Sequence, residues 1–119
     1  MKVLIVDDNA GTRAMLKILL EKAGHQVLGE AEDGRGALKA FLELRPEVVL
    51  LDIIMPGISG IVVLEEIRRV SPATKVIMLT AVDQDEVTRE LEDKGASGIV
   101  FKPFSYDDIE RAFKRLTAT

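Results

Sequence analysis

The sequence predicts an α/β fold, a doubly wound parallel sheet of five strands flanked by five helices. Three observations predict it. The chain has 119 residues, which suits one domain over 1–119 and leaves no room for two. Short, nearly continuous apolar runs alternate with longer amphipathic ones, and continuous runs signal strands buried on both faces. The joints between runs are short, which means right-handed crossovers with helices on both sides of the sheet.

Each element has its own signal. Val3–Val6 is an aliphatic run that stops at Asp7 and Asp8. Ala10–Ala23 is the first helix, with Met15, Leu16, Leu19, Leu20 and Ala23 at helical spacing and Gly24 to end it. Gln26–Ala31 is a weaker, edge strand. Gly34–Leu44 is the second helix, striped by Ala37, Leu38, Phe41 and Leu42 and stopped by Pro46. Val48–Leu51 is the third strand and runs into Asp52. Ile58–Val70 follows as a helix, with Val63, Ile67 and Val70 inward and Ser71-Pro72 closing it. Lys75–Leu79 is the fourth strand, ending at Thr80. Asp83-Gln84-Asp85-Glu86 has the form of a capping box for a fourth helix that ends at Gly95. That helix has the thinnest stripe, Val87 and Leu91, and should pack least firmly. Ile99–Phe101 is the fifth strand, ending at Lys102-Pro103. Ser105-Tyr106-Asp107-Asp108 caps the last helix, whose stripe is Ile109, Ala112, Phe113 and Leu116.

Composition narrows the function. Apolar residues make up 47% and charged residues 30%, which excludes a disordered or fibrous chain. The net charge of −4 and the lack of a Lys/Arg run argue against direct nucleic-acid binding. There is no cysteine, so disulfides, thiol nucleophiles and Cys-based metal sites are excluded. Aromatics at 4% and no Trp make base- or sugar-stacking platforms improbable. No apolar run suits a signal peptide or membrane insertion. His25 is the only histidine and reads as an exposed loop or strand-edge residue, so a Ser-His-Asp triad is not expected. No P-loop is present, and Gly34-Arg35-Gly36 lacks the third glycine of a dinucleotide fingerprint.

The strand ends carry the chemistry. In an open parallel sheet, ligands bind at the carboxyl ends of the strands. Strand one ends in Asp7 and Asp8, strand three in Asp52, strand four in Thr80 and strand five in Lys102. Asp52 is the only charge between Val48 and Ile58. A carboxylate in such company costs several kcal/mol unless it is paired or reaches the surface. Three carboxylates in one crevice either raise a pKa or hold a cation, and oxygen donors suit Mg²⁺ or Mn²⁺. A lysine, a hydroxyl, a metal and a nucleophilic carboxylate are the parts for phosphoryl transfer to aspartate.

Four segments carry a family resemblance: Val3-Leu4-Ile5-Val6-Asp7-Asp8, Asp52-Ile53-Ile54-Met55-Pro56 with Gly60, Leu79-Thr80-Ala81, and Lys102-Pro103-Phe104. In this order and on these elements, the chain resembles the CheY-like receiver domains of two-component response regulators from Lys2 to about Leu116. The resemblance implies a flavodoxin-like sheet in the order 2-1-3-4-5 and a cytoplasmic protein. It implies that Asp52 is the phosphoryl acceptor, and that Asp8 and Asp52 ligate Mg²⁺ directly while Asp7 acts through water. The backbone carbonyl of Ile54 would add a ligand, Thr80 and Lys102 would contact the phosphoryl oxygens, and Lys102–Pro103 would be cis. The partners implied are a sensor histidine kinase or phosphotransfer protein, and a downstream protein target or effector domain read by the helix 4, strand 5 and helix 5 face. The only catalysis implied is of the domain's own phosphorylation and dephosphorylation.

One departure from that family's pattern stands out, and two further positions bear on the lifetime of the phosphoryl group. Ile99 stands where many members carry Tyr or Phe as the switch residue, with Phe101 further along the strand. Ile54 and Val82 are both apolar at positions that tune attack by water, which implies a long-lived phosphoryl group. Two other functions compete. A flavodoxin-type FMN electron carrier would need a hydroxyl-rich phosphate loop where Asp7 and Asp8 stand. An aspartate-dependent phosphatase would need an Asp-x-Asp motif after strand one, which is missing.

Overall fold

A computed structural model of the chain describes residues 1–117. Aliphatic runs take extended geometry at the five places expected: β1 (Lys2–Val6), β2 (Gln26–Ala31), β3 (Val48–Asp52), β4 (Lys75–Thr80) and β5 (Gly98–Phe101). They alternate with α1 (Ala10–Lys22), α2 (Gly34–Leu44), α3 (Gly60–Val70), α4 (Asp85–Asp93) and α5 (Tyr106–Thr117). The five strands form one parallel sheet in the order β2-β1-β3-β4-β5. The order reverses beside β1, and this places the cleft between the ends of β1 and β3.

Strand alternation divides the core in two. Val3, Ile5, Leu50, Ile77 and Leu79 face α1 and α5, where they meet Leu16, Leu20, Ile109 and Phe113. Leu4, Val6, Val49, Leu51, Val76 and Met78 face the other way, onto Phe41, Val63, Ile67 and Leu91 of α2, α3 and α4. Each such side chain contributes about 1.5–3 kcal/mol when fully buried, more than helix propensity does, so packing decides the elements. Between β1 and β2 the register slips at Val3/Leu4, and Leu28 is left as the extra residue of a bulge.

Caps explain most boundaries. Asn9 accepts from Thr12 N at 2.9 Å and opens α1, and Gly24 (φ +89°) follows its end. Asp33 accepts from Gly36 N at 2.7 Å to open α2. Ser105 and Asp108 exchange hydrogen bonds at the start of α5: Ser105 N donates to Asp108 Oδ2 at 2.8 Å, and Asp108 N to Ser105 Oγ at 3.2 Å.

Several expectations need correction. The third helix begins at Gly60, not Ile58, because Ile58 is spent against the start of α2, where its Cβ lies 2.7 Å from where a Cβ on Gly34 would sit. The expected capping box before α4 does not form. The helix starts at Asp85 behind Gln84, which makes no side-chain cap, so Glu86 stands at the second helical position; Asp85 and Glu86 instead complement the helix dipole. Met15 and Leu42 are each 52% exposed and Val70 is 41% exposed. Met15 and Leu42 each neighbour an inward residue, Leu16 and Phe41, and about 100° of helix rotation carries them off the buried stripe. Val70 ends α3. In α4 only Leu91 is fully buried, as the thin stripe implied. Among the described residues, no helix is long and apolar enough to cross a membrane.

Candidate functional site

The carboxyl edge of the sheet gathers Asp7, Asp8, Asp52 and Lys102. Asp7 follows β1 and is wholly buried, Asp52 ends β3 at 6% exposure, and Asp8 is exposed. One oxygen from each of the three carboxylates lies within 4.8 Å of the others. Lys102, just past β5, reaches back with Nζ 2.8 Å from Asp7 Oδ2 and 3.4 Å from Asp52 Oδ2. Its backbone is held from behind, since Lys102 N donates to the Thr80 carbonyl at 2.7 Å; the Lys102–Pro103 bond that follows is cis.

Backbone geometry holds each carboxylate. Asn9 N donates to Asp7 Oδ1 at 2.9 Å, and Asp7 N donates to the Ala31 carbonyl at 3.1 Å. Ile54 N donates to Asp52 Oδ1 at 3.3 Å. Behind Asp52, Gly60 N donates to the Ile53 carbonyl at 2.8 Å. A Cβ on Gly60 would lie 2.0 Å from the Asp52 carbonyl oxygen, so only glycine lets α3 start this close to the acidic strand end.

The electrostatics are those of a site crowded with negative charge. Burial pushes the Asp52 carboxyl up from its ordinary value, Lys102 pulls it down, and Asp7 pushes it up again; the balance is upward. Burial lowers the Lys102 ammonium, but the hydrogen bond to Asp7 and the charges of Asp52 and Asp7 outweigh it, so its pKa is raised. One cation among three carboxylates leaves a net deficit of positive charge. The donors are hard oxygens at a spacing one small ion can bridge, and the chain's only histidine is elsewhere. The residues present therefore fit Mg²⁺ or a similar divalent ion.

Thr80 ends β4 with its side chain buried, but its Oγ1 accepts from Val82 N at 2.9 Å and does not face Asp52 in a hydrogen bond. Ile54 sits beside Asp52 with its side chain 71% exposed. Ile99 is partly buried against the α2–α4 side of the core, and Phe101 is half-buried at the sheet edge. His25 lies in the loop before the edge strand β2, as expected, but it is less exposed than a loop residue would be. It is half-buried, its ring lies 4.3 Å from that of Phe113, and its Nδ1 is 2.9 Å from the Met1 ammonium. Sequence reasoning passed over Arg13, whose Nη1 donates to the Asp7 carbonyl at 2.7 Å. The available signal was a cation in the first turn of the helix that follows an acidic strand end.

The sheet order and this lysine-bridged carboxylate cluster define the class, a doubly wound α/β domain with an acidic cleft at the strand ends. The chain belongs to the response regulator receiver domain family, whose sequence profile matches residues 3–114. It is 39% identical over 116 residues to the chemotaxis protein CheY of Thermotoga maritima, covering 98% of this chain and 97% of that one. Among solved structures it is similar to the chemotaxis protein CheY4 of Vibrio cholerae (TM-score 0.89, 33% identity, 97% of each chain). It is also similar to a chain of the CheX–CheY–BeF3–Mg complex of Borrelia burgdorferi (TM-score 0.96, 26% identity, 100% of this chain and 90% of that one). The chain is thus a CheY-like receiver domain of the two-component response regulator type, a signalling domain.

Proposed function

We propose that the domain, residues 1–119, accepts a phosphoryl group on Asp52 from the phosphohistidine of a sensor kinase or phosphotransfer protein, and that the change is read by a protein partner or an attached effector domain. The observation that carries this reading is the meeting of Asp7, Asp8, Asp52 and Lys102, from three separate strand ends, within hydrogen-bond or ion-bridging distance. The Borrelia complex, named for BeF3 and Mg²⁺ together with a CheY chain, supports it.

The residues divide the work. Asp8, Asp52 and the Ile54 carbonyl would hold Mg²⁺ or Mn²⁺ directly, with Asp7 acting through water. A bound divalent ion supplies charge neutralisation for the incoming phosphoryl oxygens. An Asp52 carboxylate oxygen attacks phosphorus in line, the bond from phosphorus to the donor's imidazole nitrogen breaks, and that nitrogen keeps the electron pair. Lys102 already stands between Asp7 and Asp52 and would contact a phosphoryl oxygen, which shifts it away from its 2.8 Å contact with Asp7. Thr80 would exchange its Val82 amide for a phosphoryl oxygen, and this pulls on the loop into α4. The loosely held α4, with only Leu91 fully buried, follows as a population shift.

The face to be read is α4, β5 and α5. Between β5 and α5, Ile99, Phe101, Ala112, Arg111 and Arg115 line a groove of about 450 Å³. Ile99 stands where many family members carry the aromatic switch residue, so the path proposed to this face runs through Thr80 and the loop into α4. Ile54 and Val82, both apolar, stand at the positions that tune attack by water in this family and favour slow hydrolysis. A flavodoxin-type role is disfavoured by the same acidic cluster, which would repel a flavin phosphate at the end of β1.

The test is incubation with acetyl phosphate and Mg²⁺ followed by intact mass. Wild type gains one phosphate and Asp52→Asn does not. Equal labelling of both would overturn the acceptor assignment.

A further inference from the structure

Arg13, at the end of the first turn of α1, makes two contacts that the proposed chemistry does not use. Its Nη1 donates to the Asp7 carbonyl oxygen at 2.7 Å, and its Nε donates to Glu30 Oε1 at 3.0 Å. Its side chain is only 15% exposed; the bond to the Asp7 carbonyl is partly shielded from water, while the bond to the exposed Glu30 lies at the surface. The carbonyl it grips belongs to the peptide joining Asp7 to Asp8. Asp7 is held at its carboxylate by Asn9 N and Lys102. Asp8 is exposed, and its placement depends on the backbone beside it.

Glu30 reaches Arg13 because of the bulge in β2. Paired residues of parallel strands point to the same face, and the slip at Leu28 pairs Ile5 with Glu30. Ile5 faces α1, so Glu30 does too. Without the bulge Gly29 would pair with Ile5, and Glu30 would turn to the α2 side. The bulge therefore builds a connected strut: β2, Glu30, Arg13 and the Asp7–Asp8 peptide.

We infer that Arg13, braced by Glu30, is a positioning residue that sets the Asp7–Asp8 backbone so that Asp8 is ready for a divalent cation; this rests on the reading of Asp8 as a magnesium ligand. The planar two-armed guanidinium suits the task, because one side chain can hold a carbonyl and a carboxylate at once. Charge alone would act the opposite way, since a cation near the cluster opposes binding of Mg²⁺. Positioning and electrostatics thus differ in sign.

The test is isothermal calorimetry of the full chain with magnesium chloride and no phosphodonor, on wild type, Arg13→Ala, Arg13→Lys, Glu30→Gln and Asp8→Asn. Partners that orient metal ligands typically change affinity about 10–100-fold. Arg13→Ala and Arg13→Lys should each weaken magnesium binding about tenfold, at the low end of that range, although the lysine keeps the charge. Glu30→Gln should weaken it less, in the same direction. If Arg13→Ala does not fold, Arg13→Lys and Glu30→Gln, which keep their side-chain stems, carry the result. Affinity unchanged or tightened in the Arg13 variants, with binding lost in Asp8→Asn, would overturn the positioning role alone. Wild-type affinity in Asp8→Asn would overturn the metal reading and this inference with it.

Discussion

Replacing Asp52 with Asn should stabilise the metal-free protein at neutral pH. With an effective dielectric of about 20, two carboxylate oxygens within 4.8 Å of one another repel by about 3 kcal/mol or more, so Asp7 opposes the Asp52 charge by an amount of that order. Asp8 is exposed and adds about 1 kcal/mol at the dielectric of water. Lys102, 3.4 Å from Asp52 Oδ2, returns about 5 kcal/mol on the same scale. The charge terms nearly cancel, and the desolvation of a carboxylate at 6% exposure is left over. That residue of the balance is on the order of 1–2 kcal/mol, the lower part of the range for imperfectly satisfied buried groups. An amide of the same shape keeps the acceptor for Ile54 N and removes the charge.

The pH dependence follows from the raised Asp52 pKa, caused first by burial. The folded value lies above the unfolded one, so the favourable protonated form contributes fully below the ordinary carboxylate pKa. That contribution is lost as pH rises through the folded value. The variant is always in the neutral form. The gap between variant and wild type should therefore be small in acid and widen towards neutrality, reaching about 5 °C in melting temperature for 1–2 kcal/mol in a chain of this length. Magnesium should close it by stabilising wild type alone. The assay is thermal melting followed by circular dichroism at low salt, in chelator and in millimolar magnesium, at several pH values. A variant no more stable than wild type at neutral pH in chelator, or a gap that ignores pH, would refute the reasoning.

Gly60→Ala should cost about 3 kcal/mol and about 10 °C, because its Cβ would meet the Asp52 carbonyl at 2.0 Å and the Gly60–Ile53 bond must lengthen; an unchanged melting temperature would contradict the close approach. His25 should titrate below its ordinary 6.5, because burial and then the Met1 ammonium disfavour its charged form. Its folded pKa is depressed, so its contribution to stability is present above pH 6.5 and lost as pH falls. An imidazole NMR titration at or above 6.5 would refute this. Leu91→Ala should cost about 2–4 kcal/mol through the cavity it leaves and should raise hydrogen exchange in α4 first; exchange that rises evenly over the sheet would show that α4 is no looser than its neighbours.

The parts of this molecule that follow a period were legible in the sequence. Val48–Leu51 reads as a strand buried on both faces because nothing polar interrupts it, and it is. Asp52 stood out as a lone charge in apolar company, and the fold brings it to Asp7 and Lys102. What the sequence hid depends on neighbours in space that spacing does not encode. Met15 and Leu42 are apolar like their inward neighbours, and only the width of the buried stripe separates them. The bulge at Leu28 has one local sign, Gly29 beside it, and a glycine inside a strand run does not say which way the register slips. That slip decides which face Glu30 takes and so how Arg13 meets the acidic cleft. His25 is the loop residue it looked like, but its partial burial was hidden because its partners, Met1 and Phe113, come from the two ends of the chain. The Thr80 hydroxyl is where a strand-end threonine satisfying its own loop would be, accepting from Val82 N.

The central claim is that Asp52 is the phosphoryl acceptor of a cleft completed by a divalent ion. A crystal structure of the chain grown with beryllofluoride and magnesium tests it most directly. Beryllium should be bonded to Asp52, the ion should touch Asp8, Asp52 and the Ile54 carbonyl, and the Thr80 hydroxyl and Lys102 ammonium should be turned onto fluorine atoms. Beryllofluoride on a different carboxylate, or an ion that avoids Asp8 and Asp52, would contradict it.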